Sequence, residues 1–481
     1  MRRVVGPFNR VEGDLEVTLE SSDGVIEAAH VNSPLYRGFE QMLHGKEPHD
    51  ALVITPRICG ICSVSQSMAA AAALRDISGV EQPPNGRLSM NLVHAAENVA
   101  DHLSHFYLFF MPDFARAGYA ERHWHGEIAA QFRAGDGEAA AAFLPARAQF
   151  MHMLGYLAGK WPHTLSTQPG GTTRTIGASE KMRVRALLHE FRRYLERCVF
   201  GGELESLAEL DSAQSLDKWL SNRTGESSDF ARFLHVANDL QLDQLGRPNT
   251  AFMSYGCYEE EKGTLFARGV WDEKEEPLNS GNIAEDITHS WLAGDNEPRH
   301  PGKGATLPVA EKEGAYSWCK APRLAGRVVE TGALARQVVD GHPLARDLVS
   351  QSGGNVRNRV VARLLEVTRL VPVMEGWIDA IQPREPFCVR SPLPESDQGA
   401  GLVEAACGSL GHWVSVEQGG IANYQIIAPT TWNFSPRDGR GIPGALEQAL
   451  VGTTVEDSED TPVNVQHIVR SFDPCMVCTV H

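Results

Sequence analysis

The sequence predicts an α+β protein, mainly α, with strands gathered at the N-terminus and a helical bundle as its core. Three observations predict it. Residues 1–30 alternate apolar and polar positions around a Ser-Asp-Gly turn, the pattern of a strand hairpin. The stretch "MNLVHAAENVADHLSHFYLFF" carries an apolar stripe at helical spacing. No internal repeat, low-complexity linker or composition break divides the chain, so residues 1–481 read as a single domain.

The elements follow in order. "LEVTLESSDGVIEAAHV" supplies the hairpin strands. "SVSQSMAAAAALRDIS" is an Ala-rich helix entered through serines that can cap it. Next, Leu92, Ala96, Val99, Leu103, Phe106 and Phe110 form one stripe, as expected of a helix packed in a bundle. "PGGTTRTIG" reads as a tight loop before the helix "SEKMRVRALLHEFRRYLERCVF". Residues 258–315, rich in charge, Gly and Pro, read as long surface loops, and helical text resumes over 332–384. A final helix is expected near Asp460, where "DTPVNVQHIV" offers a cap and an early proline.

Composition narrows the function classes. The chain is 42% hydrophobic and 22% charged, with a net charge of -17 and no dense Lys/Arg run, which argues against nucleic acid as a partner. Its most apolar stretch, "FYLFFM", is too short for a membrane span. The opening "MRRVVGPFNRVEGD" lacks the apolar core of a secretory signal, so a cytoplasmic location is expected. Nine cysteines at irregular spacing argue against a disulfide framework.

Four of those cysteines form two C-x-x-C pairs. Cys59 and Cys62 lie in "TPRICGICSVSQS", on a Gly-containing turn at a helix entrance, where the helix N-terminus favours thiolate. Taken alone, that pair fits a structural zinc knuckle, a redox pair or two ordinary buried thiols. Cys475 and Cys478 lie in "DPCMVCTVH", at the other end of the chain. Zinc ribbons unite their pairs across only ~15–20 residues. Here a global fold must bring the four thiols together, which suits a site assembled deep in the protein.

"RICGIC" and "DPCMVCTVH" resemble the two signatures of the large subunit of nickel–iron hydrogenases. "NRVEGDLEV", "YRGFE", "DHLSHFY", "YSWCKAPR", "GSLGHW" and "NYQIIAPTTWNFSPRD" resemble further landmarks of that family, in its order and across nearly the whole chain. The resemblance implies a large-subunit-like helical-bundle core with N-terminal β-strands. It implies a Ni–Fe centre with one CO and two CN ligands on iron, which splits H2 into protons and electrons. Cys59 and Cys475 would be terminal nickel ligands, with Cys62 and Cys478 bridging nickel to iron. Thiolates suit that role because they are soft, strongly donating and able to bridge.

The same resemblance assigns the neighbours. Glu12 of "RVEG" would take the proton from Cys475. Taken alone, it reads as a surface acid on a strand. His481, Glu40 and a backbone carbonyl beside Gln425, that of Ile426, would hold magnesium or a similar divalent ion. Thr430 would hydrogen-bond a cyanide, with Asp101 and Asp473 as outer acids. One position departs from the pattern: "AACG" puts Cys407 where the family commonly has an arginine. That departure puts full catalytic speed in doubt.

Several features resemble the regulatory, hydrogen-sensing subgroup. Gln66 stands where many members have His, and Ile61 and Phe109 are bulky at gas-channel positions. The chain also stops at His481 without the usual tail. The expectation is a slowly turning cytoplasmic sensor signalling through a histidine kinase, with a cytosolic uptake enzyme as the alternative. The remaining cysteines lack iron–sulfur spacing, so the clusters are expected on a separate small subunit. Two other readings stand further off. Quinone-reducing relatives have lost most of these cysteines, and a structural zinc protein would hold zinc alone.

Overall fold

The computed structural model describes residues 1–223, 228–456 and 461–481. Its N-terminal sheet is antiparallel, with strands Arg2–Val5, Glu16–Ser22 and Val25–Asn32 in sequential order. Asp23 and Gly24 turn the expected hairpin with φ of 51° and 75°, both left-handed, as a two-residue hairpin requires. Val17, Leu19, Ile26 and Val31 are buried.

The core is helical. Helices Pro84–Ser104, Glu138–Ala158, Ala178–Tyr194 and Val356–Ala380 pack on one another. The predicted stripe from Leu92 to Phe110 is fully buried in their shared cluster. After Ser104 the chain continues into a wider π-type turn, His105–Phe110. The Ala-rich helix spans Ser63–Ser78, with Cys62 as its N-cap and Gly79 as its C-cap.

Two parts of the sequence reading need correction. Residues 258–315 are not wholly loops: strands Ala251–Glu259 and Thr264–Asp272 form a hairpin, followed by Lys274–Glu276 and Ile283–Asp286. Ala251–Glu259 is buried along both faces, so it lacks the polar alternation that marks a half-exposed strand. A further antiparallel sheet, Asp397–Ala405, Gly408–Glu417 and Gly420–Ile427, was not foreseen. It packs on the Ser63–Ser78 helix. The contact explains both compositions: a Cβ on Gly401 would stand 1.9 Å from the Ala69 carbonyl oxygen. Only small residues on helix and strand permit that approach.

The helix expected near Asp460 is Val463–Ser471, entered through Pro462; Asp460, the expected cap, lies outside the described residues. Beyond it the C-terminal segment runs inward and pairs with the N-terminal one. Glu12 N–H donates to Pro474 O at 3.4 Å, and Met476 N–H donates to Glu12 O at 2.7 Å. The two chain ends are thus knit together inside the protein.

Candidate metal centre

The knit brings the two C-x-x-C pairs face to face. The four sulfurs lie within 4.8 Å of one another, all buried. Cys59 and Cys475 Sγ are 3.6 Å apart, Cys62 and Cys478 3.2 Å, and Cys475 and Cys478 2.8 Å. Two loops present them: Cys59 and Cys62 lead into the Ser63–Ser78 helix, while Cys475 and Cys478 straddle the start of the short Met476–Thr479 helix. Arg37 binds both loops with one guanidinium nitrogen, donating to Ile58 O at 2.6 Å and to Val477 O.

Their electrostatics are lopsided. Hydrogen bonds from Cys475, Cys478 and Cys62 pull the Cys59 thiol well below its ordinary range. Cys62 is pushed up, first by its contact with Cys475, and burial pushes Cys478 up. Such a cluster favours one thiolate and resists the rest. Holding all four ionised calls for cationic metal, and a buried set of soft, bridging donors fits a nickel–iron pair.

Around the sulfurs stand the expected acids. Glu12 forms an isolated bridge with Cys475, and its carboxyl is raised by burial first, then by Cys59 and Asp473. Asp101 is raised by burial, then by Asp473 and Cys59. Asp473 sits in a left-handed conformation, φ 59°, with a buried and unpartnered Oδ2. Thr430 Oγ1 accepts from Cys475 N–H at 3.0 Å. Cys407 is buried, and its thiol is raised by burial, then by Asp473, Cys475, Asp101 and Cys59. No arginine lies near it in sequence, but Arg363 reaches this side: its unpartnered Nε is 3.9 Å from Asp473 Oδ2.

A second cluster surrounds the last residue. His481 Nε2 lies 3.3 Å from Glu40 Oε1, and its Nδ1 lies 2.8 Å from Cys478 O. Ile426 enters this cluster through its N–H, which donates to Glu40 Oε1 at 2.8 Å. Lys320 Nζ donates to Gln425 Oε1 at 2.8 Å and stands 3.3 Å from Glu285 Oε2. Burial would raise the Glu40 carboxyl, but Lys320 and His481 outweigh it and hold it at about 2. Glu40 Oε2 and Glu285 Oε1 are buried with no partner. Two orphaned carboxylate oxygens beside an imidazole fit a hard divalent cation.

Gln66 accepts from His412 Nε2 at 2.9 Å through Oε1, and His412 Nδ1 pairs with the Tyr424 hydroxyl at 2.8 Å. Ile61 and Phe109 are half-buried. Sequence reasoning missed Arg37, Glu97, Glu285, Lys320 and Arg363. Lys320 and Arg37 lie inside quoted landmarks, so proximity to a motif was a usable signal; the other three carried none.

A family profile described as nickel-dependent hydrogenase matches residues 37–122 and 141–481. The periplasmic NiFeSe hydrogenase large subunit of Desulfomicrobium baculatum is 30% identical, over 99% of this chain and 94% of its own. The uptake hydrogenase large subunit of Rhodobacter capsulatus is 27% identical, over 100% of this chain and 95% of its own. Among solved structures, the reduced Ni-Fe-Se hydrogenase of D. vulgaris Hildenborough superposes with a TM-score of 0.85 at 28% identity, covering 100% of both chains.

Proposed function

The chain belongs to the nickel-dependent hydrogenase family as a large subunit, and from that premise we propose how its site works and where it serves. It is an oxidoreductase acting on H2, which sets aside the structural zinc reading. The observation that carries the site assignment is the meeting of four thiols from opposite ends of the chain within 4.8 Å. Cys59, Cys62, Cys475 and Cys478 would hold nickel and iron, with CO and two CN on iron. Once bound, that pair would supply the centre where H2 yields two protons and two electrons.

The chain's own groups manage the protons and the fit. Glu12, beside Cys475 and raised by burial, accepts a proton from the Cys475 sulfur and passes it outward. Thr430 fixes Cys475 by accepting its N–H, and its own hydroxyl proton can meet a cyanide. Asp101 and Asp473 place acid groups on the same side as Cys407. Glu40 and His481, with the carbonyl of Ile426, would hold magnesium or a similar ion and pin the C-terminal segment, while the Ile426 N–H orients Glu40.

The whole of 1–481 acts as one domain beside a small subunit that carries iron–sulfur clusters and takes the electrons. Gln66, Ile61 and Phe109 support a cytoplasmic hydrogen sensor of low turnover, working with a histidine kinase. The five cysteines outside the metal centre, none of them in a disulfide, support a reducing compartment. The second reading, an uptake enzyme, is favoured by the Rhodobacter relative.

Infrared spectra of the purified complex, with and without H2, test the centre. Bands of CO and CN that move on adding H2 are expected; their absence from folded, matured protein would refute it. Turnover with a dye, measured beside kinase binding, tests the role: slow turnover with kinase capture supports the sensor, and fast turnover without it supports uptake.

A further inference from the structure

Glu97 is buried on the Pro84–Ser104 helix, one turn before Asp101, and it receives five hydrogen bonds. Val64 N–H and Ser65 N–H donate to its two oxygens at 2.9 Å each. The Ser65 and Ser63 hydroxyls donate at 3.2 and 3.4 Å, and the Trp161 indole N–H at 2.9 Å. Four of the five donors belong to the first turn of the Ser63–Ser78 helix. Its N-cap, Cys62, has no side-chain cap of its own.

A helix start leaves several N–H groups unpaired, and a local side chain usually caps them. Here the cap comes from another helix and is an acid. The indole is fixed in turn by the Arg147 guanidinium, 5.3 Å from its ring centroid. Two residues on, His163 braces both flanks of the cysteine turn: its N–H donates to Ser63 Oγ at 3.2 Å, and its Nδ1 lies 2.9 Å from Pro56 O. Burial pushes the Glu97 carboxyl up to about 7, against the pull of its donors. The three N–H donors cannot take a proton, so this cradle suits the carboxylate, the form that prevails at pH 8.

We propose that Glu97 is a positioning residue for the metal centre, fixing the Cys59–Cys62 turn and placing a negative charge behind that pair. A helix N-terminus draws electron density from nearby thiolates. Glu97 opposes that draw, so the metal these thiolates hold is more electron-rich than the bare helix would leave it. The inference rests on the hydrogenase reading of the site.

The test is infrared spectroscopy of the holoenzyme with its partner subunit at pH 8, beside nickel and iron analysis. Glu97→Gln keeps the size but removes the charge, so the CO band should move to higher wavenumber at unchanged metal content. Glu97→Asp should return most of the shift. Trp161→Phe removes one of the donors that hold the Glu97 carboxylate, so its band should leave the wild-type position. A Glu97→Gln spectrum coincident with wild type, whatever its Tm, overturns the proposal. If that variant does not mature, coincidence of Trp161→Phe with wild type does so instead. Absence of CO and CN bands from the wild type would sink the hydrogenase reading rather than the role of Glu97.

Discussion

Glu12 owes its place to backbone pairing and its chemistry to burial. Its N–H and carbonyl are both spent on the Pro474–Met476 segment, so the side chain is held beside Cys475 without needing a partner of its own. Glu12→Gln should therefore leave nickel and iron content intact while H2 oxidation falls ~10²–10⁴-fold, the span of general acid–base catalysis. An undiminished rate would remove Glu12 from the proton path. Arg37 acts on both cysteine loops through one side chain. Arg37→Met should fold but lose nickel to a chelator faster, by ~10–100-fold in apparent affinity, as for other residues that support metal ligands. Cys407 and Arg363 make a related point: the cation on this side of the sulfurs comes from a helix remote in sequence.

At the scale of elements, the close seating of the Asp397–Ala405 strand on the Ser63–Ser78 helix decides how the first cysteine pair is held. Gly401→Val would drive a side chain into the Ala69 carbonyl, where a Cβ has 1.9 Å. The expected cost is ~3 kcal/mol or more, seen as a lower Tm and a smaller yield of metal-loaded protein. Gly376 is the matched control: it is exposed in the Val356–Ala380 helix, and a Cβ there meets nothing within 4 Å. Gly376→Ala should raise stability by ~1 kcal/mol through helix propensity. Equal melting temperatures for the two variants would show that the strand–helix seat is not as tight as described.

Across the whole molecule, buried charges set the response to pH. Glu366 accepts from Arg336 and pairs with His102. Burial would raise it, but Arg336 and His102 hold it at about 2 against an ordinary 4.5. Its stabilisation is full above pH 4.5 and is lost as pH falls towards 2. Burial lowers His94 and His105 to about 4 and His412 to about 3, so the folded chain binds fewer protons than the unfolded one below 6.5, and acid destabilises it. Burial raises Glu97 and Glu447 to about 7, which works the other way between 4.5 and 7. The opposing groups offset one another in that window, and below it only the destabilising ones remain. Thermal melts across pH should be nearly level from 7 to 4.5 and fall steeply below; a level profile down to pH 3 would contradict the network.

Local order along the chain was enough to find the four thiols, the Ala-rich helix and the long apolar stripe, whereas Glu12, Glu40 and His481 were named only through the family resemblance that short motifs carry. Each depends on a short motif or on a periodicity that a window of residues contains. The same reading failed on the fully buried Ala251–Glu259 strand, whose two covered faces erase alternation, and on the sheet over 397–427, whose glycines answer to a helix more than three hundred residues earlier. It also missed Lys320 beside Glu285, Glu97 at the entrance of another helix, and Arg363 facing Asp473. Those pairings join residues far apart in sequence, and no local pattern encodes them. They exist because packing the helices and sheets leaves each buried charge only the partners that the fold brings within reach.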